Sequence, residues 1–320
     1  MPDPGHLKRP IATEDGYKES DSLSAASYHP KKQRREAKVT LKNIVGIDHA
    51  VVIVRELDRA AENWKRLGFT ISPRGTHSAH MGTGNYTIML DPDYIELLGV
   101  LAPTEHNAPT RALLEKREGI ERVAFTTLDA AAGAEEIRSH GAIPIGPTDF
   151  ERPVTMPDGT LAAAKFRTFH WPVAEAPGGM RIFACQHKTR ETVWIPELMR
   201  HANGAKRLRQ VLLVAPEPAK EAAHLARLIE GRTRSEADAA IAVPSGSDRA
   251  DFVFMSREQL ARRYAGVPLA SLPERGAAGL VIAADLGEAE SALGPAAVRS
   301  GQSLCVPPAS ANGTLLAFTA

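Results

Sequence analysis

Two side chains able to hold a cation stand in otherwise apolar strands of one short unit: His49 in GIDHAVVIV and Glu96 in YIELLGV. A carboxylate inside such a strand is costly unless a cation or a donor meets it. On a strand, alternate side chains share a face, so Ile47, His49 and Val51 are expected to point one way, and Tyr94, Glu96 and Leu98 likewise. If His49 and Glu96 converge, an imidazole nitrogen and a carboxylate oxygen form the core of a metal site. The bland alternatives are a core histidine satisfied by a backbone carbonyl and an edge glutamate in water or paired with Arg122. His77, His80 and His201 fall in loops that could fold over such a site, where each is a candidate general base. Against that stands the ordinary exposed loop histidine.

The elements that must position these groups follow from the pattern between them. After the first strand, LDRAAENWKRLGF reads as a helix stopped by Gly68. A short strand is expected over 69–73, a loop over 76–86, and strands over 87–90 and 94–101, a βαβββ unit. A linking helix follows at 111–118. The pattern then restarts: GIERVAF echoes GIDHAVV 73 positions later, and both are followed by a Leu-Asp pair and a helix that ends at glycine, Gly68 or Gly141. Strands are expected at 142–145, 161–170 and 180–187, with GPTDFERPVTMPDGT as a loop. Two weaker units follow, beginning at RQVLLV and GLVIA. The fold class expected is α+β, with four tandem βαβββ modules in two pairs forming curved mixed sheets. The divisions are a tail at 1–44, a first pair at 45–203 (modules 45–101 and 119–190) and a divergent pair at 204–320.

The bulk properties narrow the function. The chain has 320 residues with a net charge of +1, which makes no case for nucleic acid or an anionic membrane as partner. Two cysteines, Cys185 and Cys305, build no disulfide framework, which fits a reducing compartment such as the cytoplasm. No apolar run approaches the ~20 residues of a spanning helix, and the N-terminus reads as lacking a secretory signal. The first 44 residues are rich in Pro, Ser, Lys and Glu; the basic cluster KKQRREAK within them is read as part of a solvated tail rather than a nucleic-acid arm.

Paired βαβββ units with a histidine on the first strand and a glutamate on the last resemble the vicinal oxygen chelate superfamily, which includes glyoxalase I, extradiol dioxygenases, fosfomycin-resistance enzymes and bleomycin-binding proteins. IDHAVV, GTGN, YIELLG and FACQHKTRETVWIPELMRHANGA mark a resemblance to its glyoxalase-like branch over roughly residues 45–205. The resemblance implies a divalent metal in the cup, chelating two adjacent oxygens of a small-molecule substrate. The second unit departs from the pattern. Arg122 stands where His49 stands in the first, and Phe183 where Glu96 stands. Arg122 is no metal ligand, but could hold a substrate anion in a bidentate pair or neutralise Glu96. His187 is the candidate third ligand, making with His49 and Glu96 a two-histidine, one-carboxylate set that suits Fe and does not exclude Zn, Mn or Ni. The reading is a metal-dependent enzyme of the glyoxalase or dioxygenase type; the alternative is a metal-free, sequestering protein on the same scaffold. A homodimer is compatible with either.

Overall fold

In the computed structural model, residues 41–320 other than Ser247 are described; the expected tail up to residue 40, with its basic cluster, lies outside them. The chain builds two eight-stranded mixed sheets that repeat one topology. In the first, β1 (Ile44–Val54) pairs in parallel with β4 (Tyr94–Val100) and antiparallel with β5 (Gly119–Thr127). Outward from β4 lie β3 (Thr83–Met89) and β2 (Gly75–Thr76); outward from β5 lie β8 (Arg181–His187), β7 (Leu161–His170) and β6 (Ile145–Thr155). The second sheet repeats this order, with β9 (Ala205–Val214) and β13 (Gly276–Ala284) at its centre. They are flanked by β10 (Arg234–Ser235), β11 (Ile241–Pro244) and β12 (Asp251–Met255) on one side. On the other lie β14 (Val298–Ser300), β15 (Ser303–Val306) and β16 (Leu315–Thr319). The fold is therefore α+β, with tandem modules in two halves, as the repeat in the sequence implies.

Strand β1 is buried along nearly its whole length, which is why it reads as a continuous apolar run. Helix α1 (Leu57–Arg66) buries Leu57, Ala60, Ala61 and Trp64 on one face, and Gly68, at φ +82°, turns the chain out of it. The outer faces of both sheets, with α1, α3 (Ala130–Ser139), α4 (Pro218–Leu228) and α6 (Leu286–Leu293), fill one shared core. Phe125 meets Phe252 across it with ring centroids 5.7 Å apart, and Trp64 Nε1 donates to Asn312 Oδ1 at 3.1 Å. Leu41 is already buried in this core.

Two expectations about strands are corrected. Residues 146–155, read as loop, form most of edge strand β6, which pairs only with β7 and is largely exposed. An edge in water carries no apolar alternation and tolerates Pro147 and Pro153, so its sequence looks like loop. The strand expected over 69–73 does not form, and β3 starts at Thr83 rather than at residue 87.

The halves also meet through a buried carboxylate. Leu208 N donates to Asp93 Oδ1 at 2.9 Å, and burial pushes the Asp93 carboxyl up to about 7, against the pull of that amide and of Arg207 and Arg249. Between pH ~4 and about 7 the unfolded chain has lost this proton and the folded chain keeps it, so stability falls as pH rises through that window. Asp93→Asn, which never ionises, is expected to gain about 2 kcal/mol of stability relative to the wild type between pH 5 and pH 8, measured by urea unfolding at both values.

Candidate active site

The central pair carries three one-residue bulges. In β1 they fall at Val45 and at Asp48, the latter between the pairs Ile47–Phe125 and His49–Ala124; in β5 one falls at Glu121, between Arg122 and Ile120. The bulge at Asp48 shifts the phase of alternation by one residue. Ile47 therefore faces the shared core, while His49 and Val51 face the cup, which corrects the expectation that all three share a face. Residues Tyr94, Glu96 and Leu98 face the same cup, as alternation predicts. The edge strands β2 and β6 approach each other, so the first sheet rolls around a cavity of about 580 Å³. The corresponding cup of the second sheet is filled by Leu260, Tyr264, Val267 and Leu272, from α5 (Arg257–Arg263) and the segment after it. One cup is thus open and its repeat is closed.

At the floor of the open cup four groups form a chain. His49 Nε2 lies 3.6 Å from Glu96 Oε2, and His49 Nδ1 lies 2.7 Å from Asp48 Oδ1. The same Asp48 oxygen meets His187 Nε2 at 2.9 Å, and Asp48 Oδ2 accepts from Thr126 Oγ1 at 2.7 Å. Asp48 is fully buried; the two imidazoles hold its carboxyl far below the usual range in spite of the burial. Asn85 Nδ2 donates to Glu96 Oε1 at 2.6 Å. The His49 ring stacks on Tyr94 at 4.2 Å, which fixes its plane.

This geometry can hold a cation in two ways. Asp48, His49 and His187 bring donor atoms within 4.8 Å of one another, a possible metal-binding triad. All three of those atoms, however, already satisfy one another at hydrogen-bond distance. The second way uses the cup side. With Nδ1–H of His49 given to Asp48, Nε2 presents a lone pair to the Glu96 carboxylate. Two acceptors 3.6 Å apart repel unless a proton or a cation lies between them. The spacing suits two ligands of one ion at about 2.0–2.2 Å each, and the Asp48–His49 contact is the carboxylate–histidine support that metal ligands commonly have.

Among the described residues His187 joins His49 and Glu96 through Asp48, and its buried Nδ1 has no hydrogen-bond partner. His77 lines the cup, bonded through Nδ1 to Thr83 Oγ1 at 2.8 Å, and burial lowers its pKa although Glu96 pulls it up. His80 lies exposed at the rim beside His106. His201 is not brought to the cup: Thr70 N donates to its Nδ1 at 3.0 Å and its Nε2 meets Met89 O at 2.8 Å. Both its ring nitrogens are occupied by backbone, which corrects its expected place over the site.

Arg122 reaches the cup, bonded to Glu121 and, at 3.1 Å, to Thr110 Oγ1. Glu121, 5% exposed, also pairs with Arg181. Sequence reasoning missed Asp48, Glu121, Arg181 and Arg152. The first two carried a signal: the repeat sets an acid just before each first-strand position, GIDH and GIER. His170, with its pKa lowered to about 4 by burial and by Arg122 and Arg181, lines the same wall as a neutral ring.

A family profile described as a glyoxalase-like domain matches residues 47–229, more than half of the chain. Among solved structures, a hypothetical protein from Staphylococcus aureus superposes with a TM-score of 0.60 at 14% identity, covering 85% of this chain and 98% of its own. Methylmalonyl-CoA epimerases from Streptomyces coelicolor and Mycobacterium tuberculosis match at 20% identity, with TM-scores of 0.36 and 0.35; each covers 45% of this chain, and 99% and 90% of its own. A comparison with curated proteins finds no match.

Proposed function

Because the chain belongs to the glyoxalase-like domain family, we propose that it is a metal-dependent enzyme acting on a small, oxygen-rich organic molecule in the open cup of its first sheet. The observation that carries this reading is the His49 Nε2–Glu96 Oε2 pair, an imidazole nitrogen and a carboxylate oxygen 3.6 Å apart on the cup floor. His49 and Glu96 would hold a divalent ion, Fe, Zn, Mn or Ni, which when bound would supply a Lewis acid for charge developing on the substrate oxygens. Asp48 holds His49 in the tautomer that leaves Nε2 free, and His187 and Thr126 hold Asp48 in turn. Asn85 occupies one oxygen of Glu96 and leaves the other for the site. Arg122 orients an anionic group on the substrate. His77, kept neutral by burial, is the base that takes a proton from the substrate, with His80 at the rim as the second loop histidine. Tyr94, Phe150, Phe166 and Phe183 keep water from the reacting atoms. These roles favour proton transfer of the isomerase or lyase kind over ring cleavage.

One observation favours a second reading, a metal-free binding protein: Arg122 and Phe183 occupy the second-module positions that match His49 and Glu96. Metal analysis separates the two. Protein purified without an affinity tag and dialysed against each of the four ions is expected to retain one equivalent of at least one of them. No retained ion, with binding of small organic molecules preserved, would overturn the enzyme reading in favour of the binder.

A further inference from the structure

Three guanidinium groups line the cup: Arg122, Arg152 and Arg181. Two of them share the carboxylate of Glu121. Arg152 has no such partner. It reaches in from edge strand β6, is only 8% exposed, and meets no hydrogen-bond or ion-pair partner among the described residues. Glu96 lies near enough for its charge to be felt. The two form no ion pair: Glu96 Oε1 accepts from Asn85, and Oε2 lies 3.6 Å from His49 Nε2. A buried guanidinium that makes no direct ion pair or hydrogen bond is expensive, and folds keep one where a ligand supplies the partner.

The backbone opposite is cut away for this side chain. A Cβ on Gly75 would sit 3.1 Å from Arg152 Cδ, 3.2 Å from its Nη1 and 2.3 Å from Asn85 Oδ1. Glycine at that point of β2 therefore leaves room for the Arg152 side chain where the two edges of the rolled sheet approach. Asn85, which faces Gly75 across β2 and β3, donates to Glu96 Oε1, so an anion bound to Arg152 would lie on the side of the cup that holds the His49–Glu96 pair.

We propose that Arg152 anchors a carboxylate of the substrate, so that the substrate class is small organic acids. A planar carboxylate matches the fork of a guanidinium in a bidentate pair. The anchor deepens the reading above and rests on it for the use of the cup, but the binding step needs no metal. Arg122, already paired with Glu121, then orients the other end of the molecule.

Calorimetric titration of the metal-stripped protein with malonate, malonamide and inorganic phosphate tests the anchor. Malonate is expected to bind and its uncharged counterpart malonamide not to. Arg152→Gln should weaken malonate at least about tenfold, the scale of one charge-assisted pair. Arg152→Lys, which keeps the charge but not the fork, should fall between them. Without ligand, Arg152→Gln should melt at or up to about 2 °C above the wild type, because an unpaired buried cation is gone. Malonate binding unchanged in Arg152→Gln, a preference for phosphate over malonate, or a lower melting temperature in that variant would each overturn the anchor. Metal content measured on the same samples keeps the two readings apart: failure to retain metal sinks the enzyme and leaves the anchor standing.

Discussion

His49→Ala and Glu96→Ala are each expected to lose stoichiometric divalent-cation binding, with affinity falling at least 100-fold. The pair supplies both cup-side donors, 3.6 Å apart, and either one alone leaves a single ligand in a water-accessible cavity. Loss of a supporting residue typically costs 10–100-fold in metal affinity, so loss of a ligand should cost no less. The supporting residue has its own signature. Asp48→Asn keeps an oxygen to accept from His49 Nδ1 but removes the charge, and is expected to weaken the cation by 10–100-fold without abolishing it. His201→Gln, which sits against backbone groups of Thr70 and Met89, should leave cation affinity within about twofold while lowering stability. Competition with a chromophoric chelator reads all four. Wild-type affinity in His49→Ala and in Glu96→Ala would place the cation elsewhere, with the buried Asp48–His187 group next in line.

Glu121→Ala is expected to destabilise the protein by about 3–5 kcal/mol. The Glu121 carboxylate is 5% exposed and holds both Arg122 and Arg181. Its removal leaves two adjacent guanidiniums in a cavity that already contains Arg152, with Arg181 Nε already lacking a partner. At roughly 2–4 °C per kcal/mol for a chain of this size, the melting temperature should drop by about 10 °C. Replacing Arg181 by Met in the same chain should recover part of the loss, because the uncompensated charge is halved; a double variant as unstable as the single one would show that Glu121 acts through packing rather than charge.

Much of the scaffold is legible in the chain because it rests on local physics. The repeat from GIDHAVV to GIERVAF, the glycines that stop the helices, and the apolar runs of strands buried on both faces are all short-range patterns. They suffice for the α+β class and the module order. The polar edge strand β6 is the instructive failure: half its environment is water, so its residues carry no pattern, yet it delivers Arg152 to the cup.

The site divides in the same way. By itself the sequence determined that His49 and Glu96 belong to first and last strands of one module, and alternation along β4 was enough to turn Glu96 inward with Tyr94 and Leu98. Only the tertiary structure decided which imidazoles matter and how. A bulge at Asp48 rephases β1 and sets a buried carboxylate between His49 and His187. Backbone contacts 112 and 131 positions away in the chain withdraw His201 from the cup. Which cup stays open was also settled in three dimensions, by Tyr264 and its neighbours filling the second. Alternation is a property of one strand, whereas bulges, closure and plugging depend on what stands across the sheet, and no stretch of sequence contains its own partner.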